Sequence, residues 1–125
     1  MNFGNLRELT SATFDATLEQ KGIVLIDWWA PWCGPCRAFA PVFERASAMH
    51  PDVTFAKVNT EDQPELAGEF EIRSIPTLMV IRDGVMLYNK PGMLPAAALD
   101  KLIASARAVD IAAVKRHLAR EGAAG

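Results

Sequence analysis

Cys33 and Cys36 are the only cysteines in this chain of 125 residues, and they stand three positions apart in Cys33-Gly34-Pro35-Cys36. A scaffold stapled by disulfides uses more cysteines at wider spacing. A structural zinc site needs four ligands, usually two such pairs or a pair followed by two closely spaced histidines. The only histidines, His50 and His117, lie far apart in the chain. Covalent haem attachment needs a histidine directly after the second cysteine, where this chain has Arg37. What remains is a redox pair or two idle thiols.

The surroundings of the pair give its spacing a chemical meaning. Ile23–Ala30, IVLIDWWA, is a nearly continuous apolar run rich in β-formers and reads as a strand covered on both faces. From Cys36 to Met49, the residues Phe39, Ala40, Phe43, Ala46 and Ala48 recur at mostly helical spacing. The cysteines therefore sit where a buried strand hands over to a helix. In a first helical turn, residues i and i+3 share a face, close enough for a disulfide. The unpaired N–H groups and positive dipole end there favour a thiolate on Cys33 and lower its pKa. Pro35 has no N–H to lose and the φ that a helix start wants, while Gly34 removes bulk beside the attacking sulfur. Cys36, one turn further in, is expected to be more buried and the poorer nucleophile. Asp27 is a lone carboxylate inside the apolar run. Its burial would be costly and would raise its pKa, unless it is a strand-end acid facing solvent.

The remaining elements are those that must position this pair. Ser11–Leu18 reads as a short helix capped by Thr10 or Ser11. Val53–Val58 reads as a strand, and Pro64–Phe70 as a short helix with proline in its first turn. Thr77–Ile81 and Val85–Tyr88 flank Asp83-Gly84, a hairpin signal, with Met79 and Met86 as strand core. Pro41 should kink the helix after the cysteines, and His50-Pro51 should end it, leaving His50 as a cation at its carboxyl end. Pro95 opens a later helix whose inward stripe is Leu99, Leu102, Ile103 and Ala106. Ile111, Val114 and Leu118 predict a further helical stretch to about Arg120, with Glu121–Gly125 fraying. Alternating strands and helices around one sheet imply α/β or α+β layering.

At the level of motifs, Asp27-Trp28-Trp29-Ala30-Pro31-Trp32-Cys33-Gly34-Pro35-Cys36-Arg37 resembles the active-site segment of the thioredoxin family. About forty residues on, Ile72-Arg73-Ser74-Ile75-Pro76-Thr77 resembles the family's second signature, the loop carrying its cis-proline. Asp83-Gly84 and Gly92 fall where the family has its hairpin turn and last-strand glycine. Phe39-Ala40-Pro41 and Lys57-Val58-Asn59-Thr60-Glu61 look closest to the bacterial thioredoxin 2 subgroup, without that subgroup's amino-terminal zinc ribbon, so no metal is carried over. The resemblance spans roughly residues 5–108. It implies an α/β thioredoxin fold, a central mixed sheet flanked by helices on both faces, with 1–108 as the domain and 109–125 as a carboxyl-terminal helical extension.

The activity implied by the resemblance is reduction of protein disulfides. Cys33 attacks a substrate sulfur and Cys36 resolves the mixed disulfide, while Asp27 accepts the Cys36 proton and Lys57 pairs with Asp27. Trp32, Gly34, Pro35, Ile75, Pro76, Gly92 and Met93 form the docking surface, with Ile75 offering its backbone to an extended substrate strand. Trp29 packs under the site. No cofactor binds this chain; NADPH and FAD belong to a partner thioredoxin reductase. Pro91, where the family usually has a β-branched residue, should alter one wall of the groove.

Composition agrees with this reading. Half the residues are hydrophobic and 22% are charged, enough for a packed core. The net charge of −2 and the absence of a basic run exclude a nucleic-acid patch, and Lys115, Arg116 and Arg120 read as a solvated helix face. No apolar stretch approaches the ~20 residues of a membrane span, and the opening MNFGNLRELT has no signal core, so the expected compartment is the cytoplasm and the expected state a monomer. A disulfide oxidase or isomerase would need export and usually different residues between the cysteines. A non-catalytic subunit of a larger complex and a metal-bridged dimer are also compatible with a lone cysteine pair.

Overall fold

A computed structural model describes residues 6–124. The elements in order are β1 (Leu6–Glu8), α1 (Ser11–Leu18), β2 (Ile23–Trp29), α2 (Gly34–Met49), β3 (Thr54–Asn59), α3 (Pro64–Glu69), β4 (Thr77–Arg82), β5 (Val85–Pro91), α4 (Ala96–Ala108) and α5 (Ile111–Ala124). Residues 1–5, where the amino-terminal expectation partly falls, and Gly125 lie outside the described residues.

The apolar run becomes the middle strand because only there can both of its faces be covered. The sheet order is β1-β3-β2-β4-β5. β1 and β2 pair with β3 in parallel, whereas β4 is antiparallel to both β2 and β5. Alternation along β2 divides the core in two. Ile23 and Leu25 face Phe39, Phe43, Leu99 and Ile103 of α2 and α4. Val24, Ile26 and Trp28 face Phe14 of α1 and Leu66 of α3. The sheet is therefore mixed, with helices on both faces.

Local chemistry sets the ends. Thr10 caps α1 in a reciprocal arrangement with Thr13. Asp83 and Gly84 turn β4 into β5 with φ of 49° and 83°, the positive values such a hairpin requires. Asp83 also accepts the Gly22 N–H at 2.7 Å, pinning the turn to the start of β2. Pro41 lies within α2, which runs on to Met49. At its end His50 is bonded on both ring nitrogens: Nε2 is 3.2 Å from Asp100 and Nδ1 is 3.1 Å from an Arg107 guanidinium nitrogen. His50 thus brackets α2 to α4.

Three expectations change. Met86 is not core but 44% exposed on the edge strand, whereas Met79 is buried. The helix expected to end near Arg120 runs to Ala124. β1 was not anticipated: three residues with one neighbouring strand carry no readable period. α5 is a separate helix, not a continuation of α4. Asp110 begins it by accepting the Ala113 N–H at 3.0 Å, and Leu118 on its apolar stripe is 51% exposed.

Candidate active site

β2 ends at Trp29 and the chain passes over Pro31 and Trp32 before α2 begins. Cys33 is the residue that caps α2. Its backbone is extended (φ −85°, ψ 114°), and its Sγ accepts the Cys36 backbone N–H at 3.2 Å. A sulfur in that position is bathed by the unpaired donors of the first turn, the environment that favours a thiolate. Cys33 and Cys36 are joined in a disulfide, with Cα atoms 5.2 Å apart. The expected difference in burial is absent: Cys33 is 4% exposed and Cys36 is 3%. What distinguishes them is position, because Cys33 precedes the first turn and Cys36 lies inside it. Arg37 holds the approach by donating to the Pro31 carbonyl at 2.9 Å.

Facing the disulfide is the loop before β4. The Ile75–Pro76 peptide is cis, and the Ile75 carbonyl lies 3.7 Å from Cys33 Sγ. Pro76 itself is buried, so the half-buried Ile75 presents the backbone at this edge. Gly92 (φ 104°) donates its N–H to the Pro76 carbonyl at 2.8 Å, tying the end of β5 to the same loop. Around this centre Trp32, Gly34, Pro35, Gly92 and Met93 are all exposed. A Cβ built on Gly34 would meet nothing within 4 Å, so the space it leaves free lies outside the chain. Trp32 is 66% exposed, and its indole N–H is held by the Glu61 carboxylate. Glu61 was visible in the sequence only as part of a motif, with no signal that it would orient this ring. Pro91 lines a shallow cleft with Arg73, Ser74 and Thr77.

On the α2 side of the sheet, Asp27 is fully buried, and neither carboxylate oxygen has a hydrogen-bond partner. Burial drives its pKa up from the ordinary value to about 7, against a smaller lowering by Lys57 and a further rise from Glu8. The solvent-facing alternative for Asp27 is thus excluded. Lys57 stands beside it in register, but the expected direct pairing does not form. Its ammonium instead sits 4.4 Å from the Trp29 ring centroid, so it acts on Asp27 through the field alone. Trp29 packs against the cluster of Ala30 and the two cysteines, with its indole N–H on Glu8 at 3.2 Å. Among the described residues no group of three metal-ligating side chains occurs, and no helix is long and apolar enough to cross a membrane.

The thioredoxin family model matches residues 5–105. The chain belongs to the thioredoxin family. A Streptomyces coelicolor relative named "Putative thioredoxin 2" is 50% identical over 116 residues, covering 93% of this chain and 87% of that one. Thioredoxin 1 of Synechococcus elongatus is 44% identical, covering 73% of this chain and 87% of its own. The solved thioredoxin of Malassezia sympodialis superposes with a TM-score of 0.75 at 30% identity, covering 84% of this chain and 93% of that one. With the cysteine pair joined at the head of α2, the chain is a thiol–disulfide oxidoreductase of thioredoxin type. Its partners are, in general terms, a thioredoxin reductase and disulfide-bearing substrates.

Proposed function

We propose that the dithiol form reduces protein disulfides in two steps, with Cys33 as nucleophile. The Cys33 thiolate attacks one sulfur of the substrate disulfide, that bond breaks, and the departing sulfur takes up a proton. Cys36 then gives its proton to Asp27, and its sulfur attacks Cys33 Sγ. The second substrate sulfur leaves as a thiol, and the two electrons of the dithiol have passed to substrate. The single observation that carries this reading is Cys33 Sγ serving as the helix cap, since that one environment stabilises the attacking thiolate. Asp27 near neutrality supports a role as proton acceptor for the resolving step.

Docking falls to the exposed rim of Trp32, Gly34, Pro35, Gly92 and Met93, with the Ile75 backbone pairing to an extended substrate segment beside the Ile75–Pro76 bond. A flavoprotein reductase carrying FAD and drawing on NADPH returns the disulfide to dithiol, while this chain binds neither cofactor. We place the protein in the cytoplasm as a monomer that binds neither nucleic acid nor membrane, with residues 1–108 as the catalytic domain. The test is NADPH-coupled reduction of insulin disulfides with a bacterial thioredoxin reductase, using Cys33→Ser as control. Turnover that Cys33→Ser abolishes is the expected result. Turnover surviving in Cys33→Ser would overturn the assignment.

A further inference from the structure

Three charged side chains stand in one row across three strands. Glu8 of β1 is in register with Lys57 of β3, and Lys57 with Asp27 of β2. All three lie on the α2 face, because Leu6, Phe55 and Leu25, two residues before each, belong to the core beneath that helix. Trp29, two residues beyond Asp27 on the same face, ties the row together. Its indole N–H donates to Glu8 at 3.2 Å, and its ring seats the Lys57 ammonium. Lys57 thus serves two carboxylates, one buried without a partner and one exposed at the sheet edge.

We propose that Glu8 is a positioning residue for disulfide exchange: held by Trp29 in register with Lys57 and Asp27, it adds a second carboxylate to the row, so that the one Lys57 ammonium is shared between two acids instead of serving Asp27 alone. The proposal rests on Asp27 being the proton acceptor for Cys36. Two effects of Glu8 have the same sign. Its charge opposes a second negative charge in the row, and its attraction for Lys57 weakens the one cation that would neutralise Asp27. The electrostatics agree, with Lys57 lowering and Glu8 raising the Asp27 pKa. Glu8's own pKa is raised by burial, opposed by Trp29 and Lys57 and reinforced by Asp62. The other groups near the row act little on Asp27. Beyond Asp27 the row continues with Leu78 of β4 and the exposed Lys90 of β5. From the helices come Cys36, Phe39, Phe43 and Leu99, and Arg37 is committed to Pro31.

Glu8→Gln removes the charge, retains an acceptor for Trp29, and lies at an exposed edge where folding is not at risk. Two readouts are needed: the Asp27 carboxyl followed by ¹³C NMR titration, and the pH profile of the resolving step by stopped flow. The expected result is an Asp27 midpoint lower by about half a pH unit, with the rise in resolution rate moving down with it. An unmoved midpoint overturns the proposal whatever the kinetics do. A midpoint that falls while the kinetic profile stays put overturns Asp27 as proton acceptor, and with it the link from Glu8 to exchange, while the charge coupling stands.

Discussion

Asp27 is a fully buried acid with no hydrogen-bond partner, and its energetics follow chiefly from that burial. Its pKa rises on folding from 3.8 to about 7, so the folded state holds the proton more tightly than the unfolded chain. Stability is therefore full below about pH 4 and is lost as pH rises through 7. The gap corresponds to about 4 kcal/mol. Between pH 4 and pH 8 the stability of Asp27→Ala relative to the parent should rise by up to that amount, as urea denaturation across pH will show. The same variant should resolve mixed disulfides slowly, and Cys36→Ser should trap them, seen as a covalent adduct on non-reducing gels. The sequence made Asp27 legible because a lone carboxylate in an apolar strand has few other uses. It did not reveal where Lys57 would point. That depends on a ring and a second acid brought in from another strand, and no local pattern encodes such a meeting.

Elements with a strong period were legible nearly to the residue. α1, β2 and the start of the β4–β5 hairpin follow from caps, apolar runs and Asp83-Gly84, each a local signal, although β5 runs three residues past the expected Tyr88 to Pro91. β1 escaped because its three residues are too short to show a period and its strand pairing is with the distant β3. The carboxyl-terminal helices show a different dependence. Arg82 of β4 donates to the carbonyls of Ala106, Arg107 and Val109, closing the end of α4 where backbone acceptors are unpaired. Arg82→Met should lower stability by about 1–3 kcal/mol in chemical denaturation, since several acceptors lose a charged donor together. Truncation after Asp110 should change it by less than about 1 kcal/mol, because α5 is mostly exposed and Arg82 does not reach it. An alignment of 116 residues with the Streptomyces relative necessarily takes in the start of α5, although the family model ends before it.

Across the whole molecule, thirteen basic and fifteen acidic residues leave a net charge of only −2, too small for the overall charge to steer a partner. Encounter should therefore depend on the apolar rim and backbone pairing more than on charge. The rate constants for reducing an acidic and a basic disulfide peptide should each change by less than about twofold between about 50 mM and 500 mM salt. A steeper dependence would mean that a charged patch guides docking.

The shape of the rim also decides how this protein can be blocked. Small-molecule sites are usually hollows that enclose most of their ligand. Here the reactive sulfurs sit under a ridge where Trp32 stands out from the surface and the space beside Gly34 is open. A compact drug-like compound would remain half in water and gain little hold. Effective inhibitors should instead be extended peptides that borrow the Ile75 backbone, or electrophiles that Cys33 captures covalently.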